Sequence, residues 1–140
     1  MRIYVASKFE NTRAVRDVYE VLKEDGHVIT HDWTGENADG LTGDAKEAYL
    51  QGCADKDVEG VLSADAFVLL NHVNMAGGFT ELGMALAAGK FIVVLDGRHP
   101  QKPMNIFYHL PHVHHAKSVY DARQMLKAHA LFMKQEAEVE

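Results

Sequence analysis

A chain of 140 residues, 47% hydrophobic and 24% charged, has the size and balance of one ordinary globular domain spanning 1–140, not of a disordered segment. Its formal net charge of −6, with no basic stripe interleaved with aromatics, disfavours a nucleic-acid polymer as partner. No stretch approaches the roughly 20 apolar residues of a membrane helix, the opening "MRIYVASKFE" is too short an apolar run for a signal peptide, and the lone Cys53 excludes an internal disulfide; a cytoplasmic protein with no membrane partner is expected.

"RIYVAS" reads as a first, β-rich strand. Over residues 11–25, Val15, Val18, Tyr19 and Leu22 recur at helical spacing, and Gly26 ends that helix. "HVITHDW" reads as a second strand, "ENADGLTG" as a polar loop, and residues 44–62 as a second helix. "DAFVLL" is continuously apolar, as a strand buried on both faces should be. A helix over about residues 79–88 and the strand "FIVVLD" follow, then the irregular "GRHPQKPMNIFYHLP". "HVHHA" has the length of a short edge strand, and residues 118–135 form a last helix capped by Ser118. Strand–helix alternation with short connections predicts an α/β fold: an open, doubly wound, parallel five-stranded sheet of flavodoxin or Rossmann type, with helices on both faces. In such sheets ligands bind beyond the carboxyl ends of the strands, which nominates residues 7–9, 32–34, 71–78 and 96–99.

Two carboxylates stand out. Glu81 in "GGFTELGMALAAGK" follows two glycines where a buried helix begins. As a plain first-turn acid it interacts with the helix dipole; as a functional group it is held ionised by free helix N–H groups while Gly77 and Gly78 admit a ligand to the backbone. A capping box needs Ser or Thr at the position of Gly78, so capping accounts for it only in part. Asp57 falls on the apolar arc of the second helix, defined by Tyr49, Leu50, Cys53, Gly60 and Val61. There it is paired, with Lys56 or Arg98 as candidates, or protonated, or facing a cavity. Two inward carboxylates on neighbouring elements suit nucleophile plus acid/base chemistry.

These residues carry a resemblance. "RIYVAS", "KDVEGVLSADAFVLL", "GGFTELGMALAAGKFIVVL" and "KPMNIF" resemble the nucleoside 2-deoxyribosyltransferase-like family, which includes deoxyribosyltransferases and the related nucleoside 5′-monophosphate N-glycosidases. The resemblance implies that Glu81 attacks the anomeric carbon of the sugar and that Asp57 binds sugar or assists protonation of the base. It places Tyr4 at the family's first-strand tyrosine, and Asn105 at an asparagine that reaches into a neighbouring subunit's site to hold a 5′-hydroxyl. It implies an enzyme acting on a nucleoside or nucleotide and a free nucleobase, as a homo-oligomer, with no metal and no organic cofactor. Met75 stands six positions before Glu81, where the family's transferases carry a base-contacting aspartate; Asn74 is its neighbour. The leading expectation is a nucleoside deoxyribosyltransferase working through a glycosyl-Glu81 intermediate. The alternatives are a 2′-deoxynucleoside 5′-monophosphate N-glycosidase and a non-catalytic nucleotide-sensing module on the same fold.

Other residues have two readings each. Trp33 and Phe9 either stack on a nucleobase or pack in the ordinary way. Ser7 and Lys8 either meet a 5′-phosphate, as the resemblance to the monophosphate hydrolases' first-strand loop implies, or are an ordinary hydroxyl and lysine of a loop. The histidines of "HVHH" read as a solvated or subunit-facing edge strand in preference to a zinc site, and Cys53 reads as core.

Overall fold

The computed structural model describes residues 1–97 and 105–139. The elements are β1 (Arg2–Ala6), α1 (Thr12–Glu24), β2 (Val28–Ile29), α2 (Gly43–Leu62), β3 (Ala66–Leu70), α3 (Ala76–Ala87), β4 (Phe91–Leu95), β5 (Val113–Ala116) and α4 (Val119–Val139), with 3-10 turns at Phe9–Asn11 and Ile106–His109. All pairings are parallel, in the order β2-β1-β3-β4-β5. This is the doubly wound α/β sheet that the alternation predicts. Among the described residues no helix is long and apolar enough to cross a membrane.

β3 is buried along its whole length, and β1 and β4 are buried except at their first residues, because helices cover both faces. α2 packs against α3 on one face. α1 and α4 share the other, where the Arg123 guanidinium meets the Asp25 carboxylate at 2.8 and 2.6 Å. β1 is the first strand in sequence yet lies between β2 and β3, so the order reverses there and a crevice opens beyond the ends of β1 and β3.

Three departures from the sequence reading bear on that crevice. β2 is two residues long, not a strand to Trp33: the ladder stops and Thr30 turns toward α2, its hydroxyl donating to Gly60 O at 2.7 Å. The Val5 carbonyl that a longer β2 would have engaged accepts instead from Trp33 Nε1 at 2.7 Å. α3 begins at Ala76, so Gly77 and Gly78 sit inside its first turn, and Asn74 takes a positive φ of 58° to enter it. α2, roughly 30 Å long, outruns strands of about 17 Å. Only Gly60 and Val61 of α2 are buried, so the expected apolar arc through Tyr49 and Leu50 does not continue into the core. α2 reaches the crevice through Asp57, in the second half of the helix. Ser118 caps α4 as expected, donated to by Asp121 N at 3.2 Å. The histidine run on edge strand β5 is engaged with its own chain, not simply solvated: His115 meets Asp96 and the Tyr108 carbonyl, and His114 lies against Phe91. Arg98, and Lys102 to Met104 of "KPMN", lie outside the described residues.

The two glycine environments make opposite predictions. A Cβ on Gly60 would lie 2.9 Å from Tyr4 Cδ2 and from His31 Cβ, whereas one on Gly77 meets nothing within 4 Å. Gly60→Ala should cost about 1–3 kcal/mol in urea unfolding by overpacking. Gly77→Ala should leave stability unchanged or raise it by under about 1 kcal/mol, while weakening any ligand that uses that space.

Candidate active site

Strand alternation sends Ile3 and Val5 to one face of β1, and Tyr4 and Ala6 to the face covered by α2 and α3. Tyr4 is fully buried, its ring stacked on Phe67 of β3 at 6.0 Å, so its hydroxyl needs a partner. Glu81 supplies one: the Tyr4 hydroxyl donates to Glu81 Oε2. Gly78 lets α3 come this close, since a Cβ there would sit 3.3 Å from Ser7 O and from Leu69 Cδ1. Gly78 is therefore a packing glycine, and of the pair only Gly77 faces open space.

Glu81 lies in the second turn of α3, not the first, because the helix starts earlier than its glycines suggested. It is not held ionised by free helix N–H groups. Burial pushes its carboxyl up to about 7, opposed by the Tyr4 hydrogen bond and reinforced by the charge of Glu36.

Asp57 faces the same crevice from the second half of α2. Among the described residues its neighbours are His31 and Glu36, which the sequence reading did not single out, and not Lys56; Arg98 lies outside the described residues. His31 Nε2 lies 2.9 Å from Glu36 Oε1 and 3.3 Å from Asp57 Oδ1. The second contact is poorly aligned, and Oδ1 is closed off from solvent with no hydrogen bond of its own. Burial, a hydrogen bond shared with Glu36, and the charges of Glu36 and Glu81 push the Asp57 carboxyl up to about 8. Burial opposes ionisation of Glu36 too, but hydrogen bonds from Cys53, Asp57 and His31 outweigh it and hold Glu36 below the ordinary carboxylate range. The two carboxyls are thus biased in opposite directions, Asp57 toward its protonated form and Glu36 toward its ionised form. The signal for this trio was a histidine and a glutamate flanking Trp33, on a loop the topology aims at the crevice. Cys53 is half-buried beside Glu36 and is not core; burial and Glu36 push its thiol up.

A cavity of about 340 Å³ unites these groups. Glu81, Asp57 and Glu36 line it together with Ser7, Lys8, Phe9, Trp33, Asn74, Met75, Gly77 and Gly78. Three of the four nominated loops thus reach it. Trp33 is only 7% exposed and fixed by its bond to Val5 O, so it packs and lines the cavity at once; Phe9, 53% exposed, tilts over it at 6.4 Å. The Ser7 hydroxyl donates to Leu70 O at 2.9 Å and accepts from Asn11 Nδ2 at 3.0 Å, which ties the ends of β1 and β3. Met75 is 1% exposed and contributes to the core as well as to the wall. Asn105 is not in this cavity. It caps the turn Ile106–His109, accepting from Phe107 N at 3.0 Å, beside a separate apolar groove of about 670 Å³ between α3 and that turn.

Among the described residues, His31, Glu36 and Asp57 form the group whose ligand atoms approach within 4.8 Å, a spacing that a divalent cation bridges. They already face one another as donor and acceptors, and we read them as a proton network. The histidines of β5 do not gather into such a group.

Two solved structures share the fold. The CMP N-glycosidase BcmB of Clostridium botulinum superposes with a TM-score of 0.62 at 19% identity, over 91% of this chain and 99% of that one. A 2-deoxyribosyltransferase of the psychrotolerant bacterium Bacillus psychrosaccharolyticus superposes with a TM-score of 0.69 at 19% identity, over 87% and 90%. The likeness is one of fold, and it agrees with the family that the sequence resembles. No protein-family model and no curated protein matches the chain.

The two raised carboxyls set a sign for stability. Each binds its proton more tightly folded than unfolded, so its stabilising contribution is complete below about pH 4. It drains away as pH rises through about 7 for Glu81 and about 8 for Asp57. Glu81→Gln, which cannot ionise, should match the parent near pH 5 and exceed its Tm by a few degrees at pH 9, as thermal unfolding by circular dichroism would measure.

Proposed function

We propose that the protein cleaves the N-glycosidic bond of a 2′-deoxynucleoside through a covalent glycosyl-Glu81 ester and passes the sugar to an acceptor base, as a nucleoside deoxyribosyltransferase. The observation that carries the reading is the pairing, in one cavity, of a buried carboxylate fixed by Tyr4 with a second carboxyl that burial and the neighbouring Glu36 bias toward its protonated form. Tyr4 engages Oε2 and leaves Oε1 for the anomeric carbon. As the C1′–O bond forms, the C1′–N pair leaves with the base, and Asp57 delivers a proton to the departing nitrogen. The Asp57 carboxylate then takes a proton from the incoming base, or from water, as that nucleophile resolves the ester with net retention. Trp33 and Phe9 offer aromatic faces for the base, and Asn74 a polar group for its edge. A sensing module has no need of either carboxyl in this state.

A second reading, hydrolysis of a 2′-deoxynucleoside 5′-monophosphate, is favoured by Lys8. It lines the cavity near the first turn of α3, whose open N–H groups suit a phosphate, and Met75 removes an acceptor-holding aspartate. The two readings separate in one assay. Deoxynucleosides and deoxynucleotides are supplied with and without excess free base, and products are resolved by chromatography. Transfer yields a new β-nucleoside. Free base and free sugar or sugar phosphate, unaffected by acceptor, make the protein a hydrolase. Under either, Glu81→Gln should lower kcat by about a thousandfold or more while the fold survives, and near-normal turnover would end both.

We also infer that a second copy covers the apolar groove beside Asn105. Ile106 and Phe107 there are 76% and 52% exposed, and Asn105 lines this groove and not its own chain's carboxylate cavity. A dimer or larger assembly should appear in sedimentation velocity, and Phe107→Asp should dissociate it. Asn105→Ala should raise KM more than it lowers kcat; a monomer with full activity would refute the arrangement.

A further inference from the structure

Asp57 can serve as an acid only if something keeps its proton in place beside a solvent-connected cavity. Its surroundings are unusual for an acid of a two-carboxylate site. From β1 comes the neutral Tyr4; from α3, Glu81; from its own helix, Cys53; from α1, at longer range, Tyr19. Each of these either leaves Asp57 unaffected in its geometry or acts through charge alone. The two groups gathered against it come from the segment after β2: Glu36, whose carboxylate lies within 4.8 Å of it, and His31, whose Nε2 lies 2.9 Å from Glu36 Oε1 and 3.3 Å from Asp57 Oδ1. This segment is where the sheet ladder is abandoned after Ile29, so the departure of β2 from the expected strand delivers both side chains to the cavity.

We propose that Glu36 and His31 are positioning residues that hold the transferable proton on Asp57, His31 donating to Glu36 so that Glu36 remains the acceptor. The proposal rests on the N-glycosidic reading and adds the device that loads its acid. In the resting site the Asp57 hydroxyl donates to the Glu36 carboxylate, and His31 Nε2–H donates to the same carboxylate from the other side. When the base departs, the proton leaves Asp57 for the base nitrogen. The new Asp57 carboxylate then faces Glu36 as a like charge, a repulsion relieved when Asp57 recovers a proton from the acceptor base or water. Glu36 thus keeps the acid charged with a proton before the step and drives its reloading afterwards. Tuning of one carboxyl by another at close range is a general route to an acid that works at neutral pH.

The test combines a titration that needs no substrate with a pH–rate profile. Asp57 is followed by carboxyl carbon-13 NMR in the unliganded protein, and kcat/KM is measured over pH, for the parent, Glu36→Gln, His31→Ala and His31→Gln. In E36Q the amide can donate to an ionised Asp57, so the Asp57 titration should fall by at least one pH unit, with the descending limb of kcat/KM following and a loss of about tenfold at pH 8. The ascending limb should move less, in the same direction, since the charge of Glu36 also opposes ionisation of Glu81. H31A should let Glu36 take the proton and lower the Asp57 titration likewise, while H31Q, which keeps an N–H donor, should restore it. An unmoved Asp57 titration in both E36Q and H31A overturns the proposal whatever the activity, as does a rate lowered uniformly with no displaced limb. If the titration shifts as expected but the parent turns over no nucleoside or nucleotide, the reaction is what falls, and with it the role of the proton.

Discussion

A tyrosine hydroxyl buried in the middle of a sheet has to be hydrogen-bonded, and in this molecule that requirement organises everything around it. Tyr4 has no access to solvent, and its acceptor is a carboxylate from another element, so β1, β3 and α3 must meet at fixed distances for the bond to exist. Gly78 lets α3 descend on the β1–β3 seam, and Gly60 lets α2 lie across the Tyr4 ring. The carboxylate gains a fixed orientation and loses hydration. It is raised toward neutrality because the single hydrogen bond from Tyr4 does not match the water it replaces. The raised affinity of Glu81 for its proton is thus a by-product of satisfying a core tyrosine.

The sheet and its helices were legible because their cause is local in sequence. The unbroken apolar runs of β3 and β4 and the helical spacing of Val15, Val18, Tyr19 and Leu22 encode burial directly. The gathering of Glu81, Asp57, Trp33 and Gly77 at one cavity was legible too, since polar groups in apolar settings announce themselves and the topology says which edge they share. What could not be read depends on contacts distant in sequence. The length of β2 is decided by the Trp33 indole competing for Val5 O and by Thr30 turning to Gly60. The early start of α3 depends on Gly78 packing against Ser7 and Leu69, where glycine at a helix start ordinarily signals a loop. Glu36 looked like one more polar loop residue, because nothing within its own neighbourhood reveals that His31 and Asp57 converge on it.

The sheet also divides its labour. The side of β1, β3 and the segments after them holds the carboxyls and the aromatic wall. The side of β4 and β5 is tied by a different set of polar links. His115 reaches Asp96 at 3.1 Å and the Tyr108 carbonyl at 2.8 Å, and the Tyr108 hydroxyl donates to Asn71 at 3.2 Å. Phe91 lies between His114 and His129, stacked on the latter at 4.0 Å. A histidine-rich edge that looked available to a metal or to solvent therefore fastens β5, the turn at Ile106–His109 and α4 to the central strands, and Asn71 carries that anchorage to the rim of the crevice.

The bond between Tyr4 and Glu81 joins positions 77 residues apart. Closing so long a loop has an entropic cost that is recovered only once β1 and β3 are paired and α3 is laid across them. Local helices such as α1 form on their own segments, but Glu81 and its tyrosine anchor do not exist as a unit until the chain has been made past residue 81 and its first and third strands have found each other. The crevice of this protein is a late event in its folding: a partly folded chain carries all its helices' propensities and none of the Tyr4–Glu81 pair.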